Sequence, residues 1–186
     1  MSYTLRMRVE KTDEYSEWLD KLKDRTGRAR ILVRVDRLID GNPGLHRNLT
    51  DGVSALKIDV VPGWKTLKPR FGWPKTSRSS AMPKTARPKP TKTRITPYDV
   101  AEHLRTPEEM AAYLDAWLEE APDDAAGIAM ALGNIARAKG MTQVAKDAGL
   151  SRESLYRALS AEGNPSFATV LKVARALGMK LHAAAA

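Results

Sequence analysis

Between Thr142 and Leu159 the sequence sets capping, small and turn-forming residues around a cluster of polar side chains. The pattern predicts two short helices joined by a tight turn. Thr142 is expected to cap the first, with Val144, Ala145 and Ala148 facing inward, and Ala145 small enough for two helices to cross closely. Gly149 permits a left-handed turn, Leu150 plugs that turn into the core, and Ser151 caps the second helix, held by Leu155 and Leu159. Arg152, Glu153, Ser154, Tyr156 and Arg157 are then left exposed near the N-terminus of the second helix. These groups can read base edges in a DNA major groove: Arg152 or Arg157 could bridge guanine O6 and N7, and Ser154 could bond to several bases. Gln143 and the cap Ser151 complete the set of candidate DNA contacts, with Gln143 at a helix N-terminus suited to a phosphate. The alternative is a plain helical hairpin with a solvated charged face.

Other elements must hold this pair in place. Downstream, Gly163-Asn164-Pro165 turns the chain, and Ser166 caps a helix whose stripe of Phe167, Val170, Leu171, Ala174 and Leu177 is expected to close the core. Gly178 ends it, and Met179 to His182 read as a short strand or a dimer contact. Upstream, a helix is expected from about Asp124 to Lys139, with Ile128, Leu132 and Ile135 inward and Gly140 after its end. Thr106-Pro107-Glu108-Glu109 is a capping box with proline at the first helical position. It opens a helix with Met110, Tyr113, Leu114, Trp117 and Leu118 on one side. A shorter helix is expected from Thr96 to Leu104.

The first 64 residues have a different grammar. Tyr3, Leu5, Met7 and Val9 alternate as in a half-buried strand. Two helices follow, one with Tyr15, Trp18, Leu19 and Leu22 and a cap at Thr12 or Asp13, the other with Ile31, Leu32, Val35, Leu38 and Ile39. Gly41-Asn42-Pro43-Gly44 stops the second. Short strands near 45–49 and 56–60 give the order β-α-α-β-β. Three short strands under two helices would leave an exposed edge and an incomplete core. Residues 65–97 then carry ten basic residues, no acid and six prolines. Such a stretch buries too little apolar area to offset ordering entropy and reads as a disordered basic linker.

Charge follows the same divisions. Residues 98–136 hold nine acids against one arginine, and residues 137–186 hold eight basic residues against three acids. The net charge of +9 points to a polyanionic partner. The absence of cysteine excludes disulfides and thiolate chemistry and fits a cytoplasmic protein. His46, His103 and His182 lie too far apart in sequence to favour a metal site, and no cofactor is expected. No apolar run is long enough for a membrane span. Catalysis would have to draw on His46, Lys57 and Lys65, each more simply explained as a solvated surface group. Lys65 is the one weak catalytic candidate. Trp18, Trp64, Trp73 and Trp117 could form a base-stacking set, but Trp18 and Trp117 sit on helical stripes and are expected in the core.

Residues 98–182 resemble the antitoxin of a HigBA-type addiction module, with an acidic helical part followed by an Xre-type helix-turn-helix. The resemblance rests on Ala111-Ala112-Tyr113-Leu114, Ile135-Ala136-Arg137, Gly140-Met141-Thr142-Gln143, Gly149-Leu150-Ser151-Arg152, Leu155-Tyr156-Arg157-Ala158-Leu159 and Gly163-Asn164-Pro165-Ser166-Phe167. It implies a repressor that binds its own operator, usually as a dimer, and neutralises a partner toxin. Residues 1–65 resemble a truncated toxin of the RelE/ParE/HigB superfamily, through Trp18-Leu19, Ala29-Arg30-Ile31-Leu32, Asp36-Arg37-Leu38, Gly41-Asn42-Pro43-Gly44, Gly52-Val53-Ser54, Leu56-Lys57-Ile58 and Pro62-Gly63-Trp64-Lys65. Such toxins are typically ribosome-dependent mRNA interferases. Their later strands, which carry most of the catalytic side chains, have no counterpart in residues 65–97, and Lys65 stands where the family usually has arginine.

The expected fold is therefore mainly α. A lambda-repressor-like domain spans 98–182, with its helix-turn-helix at about 142–159, and an incomplete α+β toxin-like segment spans 1–64. The expected function is that of a DNA-binding repressor and antitoxin in the cytoplasm, with operator DNA, a cognate toxin or the chain's own toxin-like segment, and a second copy as partners. Residual RNA cleavage by the N-terminal segment, or toxin neutralisation without DNA binding, are the alternatives.

Overall fold

The computed structural model describes residues 8–42, 44–48, 54–56, 58, 94–160 and 162–182. The alternation at Tyr3, Leu5 and Met7, the linker as far as residue 93, and Trp64, Lys65 and Trp73 lie outside them. The described residues form seven α-helices and four three-residue strands.

Strand β1 (Glu10–Thr12) leads into α1 (Asp13–Asp20), whose N-cap is Thr12, accepting from the Tyr15 amide at 3.2 Å. Helix α2 (Arg25–Ile39) ends before the positive-φ turn at Gly41. Strands β2 (His46–Asn48) and β3 (Ser54–Leu56) pair antiparallel with each other, while β1 pairs antiparallel with β4 (Ile95–Pro97). The strands expected over 3–9 and 56–60 lie mostly outside the described residues, and the described strands do not form one three-stranded sheet. The strand partner of β1 comes from Ile95–Pro97, residues that composition alone assigns to the linker. The helix expected over 96–104 is correspondingly a strand followed by a single 3-10 turn (Val100–His103) capped by Asp99. Pro97 can end an edge strand because its missing N–H leaves no ladder partner unmet inside a wider sheet.

Helix α3 (Pro107–Glu120) starts with both halves of the capping box: Thr106 Oγ1 accepts from the Glu109 amide, and Glu109 Oε2 from the Thr106 amide, each at 3.2 Å. Met110, Tyr113, Leu114 and Trp117 are buried as their spacing predicts, whereas Leu118 is exposed. Helix α4 (Ala125–Lys139), capped by Asp124, packs against α3, the 3-10 turn, and two of the helices that follow it. Its buried residues are mostly small: Gly127, Ala129, Ala131, Gly133 and Ala136 accompany Leu132 and Ile135. A methyl group at Gly133 would sit 2.7 Å from the Leu159 carbonyl oxygen, so glycine is what lets α4 approach that turn.

One hydrophobic core runs through both halves of the chain, from Leu19, Ala29, Leu32 and Val33 to Tyr113, Trp117, Leu132, Leu155 and Val173. The buried face of α2 differs from its aliphatic stripe: Leu32 is buried, but Val35, Leu38 and Ile39 are only half-buried, and Arg28, Arg34 and Asp36 go inside. Those charges are tolerated because α3 and α4 supply partners. The Tyr113 hydroxyl donates to Asp36 Oδ2, which also accepts from Asn134 Nδ2 at 3.2 Å. Trp18, expected in the core, is 46% exposed and leans on Tyr15, with ring centroids 5.9 Å apart. It borders an apolar groove of about 400 Å³ with Leu22, Ile31 and Val35, a rim of the N-terminal half with no helix over it among the described residues.

Burial raises the Asp36 carboxyl to about 7 from 3.8. The unfolded chain therefore releases this proton as pH rises from about 4 to about 7, while the fold holds it, and stability is lost across that window. Burial, with the Lys11 cation, lowers His103 to about 4 from 6.5, so its contribution runs the other way and is lost as pH falls from about 6.5 to 4. Asp36→Asn removes only the first effect. Its melting temperature relative to the native chain should rise from pH 4 to pH 8, with a gain of up to about 4 kcal/mol at the upper end. A difference that is flat with pH would show that Asp36 titrates normally.

Candidate nucleic-acid interface

Helix α4 ends at Gly140, whose φ of +108° turns the chain directly into α5 (Met141–Asp147). Gly140 occupies the N-cap of α5 and Thr142 makes no capping bond, which corrects the expectation that Thr142 caps this helix. A cap at 142 would start α5 two residues later. The left-handed glycine instead continues from α4 without a spacer. Val144, Ala145 and Ala148 are buried as expected.

The turn to α6 (Arg152–Ala158) follows its sequence closely. Gly149 has φ +67°, and the Leu150 amide returns to the Ala145 carbonyl at 2.9 Å. Leu150 packs against the core. Ser151 Oγ accepts from the Ser154 amide at 3.0 Å and donates to Ser154 Oγ at 2.8 Å. Leu155 and Leu159 anchor the inner side. Helix α6 is therefore fixed at its cap and along one face, and the opposite face is free to touch a ligand.

Arg152, Glu153, Tyr156 and Arg157 are all exposed on that face. Positions 152 and 156 form one row and 153 and 157 the adjacent one, since residues four apart are helical neighbours. The Arg152 guanidinium lies 5.5 Å from the centre of the Tyr156 ring. This contact holds the arginine along the helix and keeps its fork of donors on the outer surface. Ser154 is half-buried. Gln143 is exposed on α5, but its Nε2 donates to Asp147 Oδ1 at 2.7 Å, so one amide donor is already engaged within its own helix. The seven residues thus fall on one two-helix unit, six on or at the cap of α6 and Gln143 on α5. Lys65 lies outside the described residues.

Two features were not anticipated. Ser154 and Arg157 face a polar groove of about 430 Å³, walled on the other side by Asn164, Ser166 and Thr169. The signal was present in the Gly163-Asn164-Pro165-Ser166 turn, which brings two further hydrogen-bonding side chains, Asn164 and Ser166, beside α6, with Thr169 following on the next helix. Helix α7 (Phe167–Ala176) is capped by Ser166, which accepts from the Thr169 amide at 3.2 Å. Of its expected stripe, Ala174 and Leu177 are buried and Val170 packs against the core, while Phe167 is 71% and Leu171 42% exposed; Val173, outside that stripe, is buried. Among the described residues, 179–182 contain no strand.

These geometries separate structural from surface roles. Ser151→Ala should cost about 1 kcal/mol by removing the cap. Arg152→Ala with Arg157→Ala should change stability by less than about 0.5 kcal/mol. Urea unfolding of the two variants checks both, and a large loss in the arginine pair would mean that those side chains serve packing.

No helix of the described residues is long and apolar enough to cross a membrane. Residues 94–185 match a family model described as probable addiction module antidote protein. The chain is similar to an uncharacterized protein of Haemophilus influenzae, 54% identical over 85 residues, which are 46% of this chain and 86% of that relative. A second uncharacterized protein of the same organism is 34% identical over 59 residues, 32% of this chain and 60% of the relative. No solved structure matches the chain significantly. The acidic helix α3, α4, the pair α5–α6 and the closing helix α7 all fall inside the matched region, and through it the chain belongs to the family of addiction module antidote proteins.

Proposed function

We propose that the chain is the antitoxin of a type II toxin–antitoxin module and represses transcription by binding operator DNA through α5 and α6. The family carries the antidote half of this reading. The observation that carries the DNA-binding half is α6 itself: a capped helix, anchored by Leu155 and Leu159, whose exposed rows present Arg152 and Arg157 beside Glu153 and Tyr156. α5 and α6, joined by the Gly149 turn, have the form of a helix-turn-helix of the lambda-repressor-like, Xre type, with α6 entering the major groove. Arg152 and Arg157 would read guanine and Ser154 adjacent base edges, with Gln143, Ser151, Glu153 and Tyr156 completing the contact surface. An operator with two half-sites would be met by two copies. The exposed Phe167 and Leu171 on α7 are apolar residues that such a homodimer could cover.

In this reading residues 98–182 are the antitoxin domain and residues 1–64 a toxin-like segment of the RelE/ParE/HigB kind, joined by the basic stretch between them. Toxin neutralisation without DNA binding is the second reading. It is favoured by the acidic face of α3, whose 14 residues hold five acids and no base.

Fluorescence anisotropy against the promoter region of the chain's own gene separates the two. The native chain should bind in a sequence-dependent way with a steep salt slope. Arg152→Ala/Arg157→Ala should weaken binding at least tenfold, each lost bidentate pair being worth about 1–3 kcal/mol. Weak binding that the double substitution leaves unchanged would leave neutralisation as the function.

A further inference from the structure

Helix α2 carries five arginines and one acid over its 15 residues, and helix α3 five acids and no base. The two pack against each other more extensively than any other pair of helices. Arg28 Nη1 reaches Glu109 Oε1 at 2.7 Å, while its Nη2 donates to the His103 carbonyl at 3.1 Å. Arg30 Nη2 meets Glu119 Oε2 at 2.7 Å, and the guanidinium groups of Arg34 and Arg37 lie 3.6 Å and 3.7 Å from Glu120 Oε2. Arg28, Arg34 and Glu120 are nearly sealed from water, with Ala29, Leu32 and Val33 in the same core as Tyr113, Leu114 and Trp117. This has the make-up of a binding interface: an apolar centre with charge pairs fixing its register.

The family match starts at residue 94, beyond α2. The 54%-identical relative matches over 85 residues that are 46% of this chain but 86% of itself, so it is roughly half as long and has no room for both halves. A matched domain without α2 would present the α3 face bare, with Tyr113 and Trp117 beneath an acidic rim.

We propose that the face formed by α3 and the 3-10 turn is a receptor for an arginine-rich amphipathic helix of a separate toxin, and that in this chain α2 fills that receptor in cis. The inference rests on the antidote reading and adds the surface and the regulation. A tethered helix acts at an effective concentration that short linkers bring to about millimolar. A partner in trans must therefore compete with α2, and the chain is an antidote held in a self-occupied state. Residues Glu109, Glu119 and Glu120 set the charge of the partner, and the buried carboxyl of Asp36 on the Tyr113 hydroxyl sets its register.

A fluorescein-labelled peptide of residues 24–40, titrated into the full chain at low salt, tests this. The native chain should bind it at least tenfold more weakly than Arg28→Glu/Arg34→Glu, in which α2 is expelled. Adding Glu109→Gln/Glu120→Gln to that variant, which restores no charge pair with α2, should weaken binding at least tenfold. A second measurement leaves every described side chain intact: a protease site introduced between residues 66 and 92, when cut, should also tighten peptide binding, because α2 loses its tether. Equal binding before and after cutting, or no binding by the expelled variant, overturns the receptor. Promoter binding by the same proteins is read in parallel. Its loss alone would overturn the repressor reading and leave the receptor standing.

Discussion

The architecture depends on how closely other elements can approach α4. Its buried surface is built from Gly127, Ala129, Ala131, Gly133 and Ala136, so α3, the 3-10 turn, α5 and α7 all pack against one 15-residue helix. A methyl group at Gly133 would collide with the backbone at Leu159, and one at Gly127 with the Trp117 ring. Close-packed interiors give little room for such changes. Through the Gly127 side α4 supports the acidic helix α3, and through the Gly133 side it fixes the end of α6. The side that holds α3 and the side that holds the end of α6 are thus joined by one helix.

That helix also explains how the charged seam is tolerated. Removing several arginines and carboxylates from water is costly unless each finds a partner. Asn134 on α4 reaches over to the Asp36–Tyr113 pair, and Arg137, one turn further, makes a two-pronged contact with Asp99 at 2.9 and 3.1 Å. Helix α2 is held through its contacts with α3 and α4. Helix α2 is long and acquires its buried charges only against those partners. Its edge facing Trp18 and Ile31 stays an open apolar groove.

What the sequence reveals depends on the range of the interaction. Caps and turns are local: Thr12, Thr106, Asp124, Ser151, Ser166 and Gly149 act as their neighbours dictate. The buried and exposed faces of α6 were legible for the same reason, since periodicity separates Leu155 and Leu159 from Arg152, Tyr156 and Arg157. Thr142 was misassigned because threonine before an apolar run is a good cap, and only the three-dimensional path shows that Gly140 already starts the helix. The burial of Arg28, Arg34 and Asp36 was hidden, since an aliphatic stripe marks apolar faces and cannot see carboxylates some eighty residues away. The β1–β4 pairing was hidden for the same reason. Phe167 fits a core residue by spacing, but it is the first residue of α7, directly after the Ser166 cap, and is 71% exposed.

The central claim is that one capped helix, α6, is the surface that meets DNA, on the side of α4 away from the α2–α3 seam. Hydrogen exchange of the full chain with and without promoter DNA tests it directly. The account predicts new protection at amides 143–157 and unchanged exchange across 107–120. Protection confined to α2 and α3, or none at α6 under conditions where the DNA is bound, would contradict it.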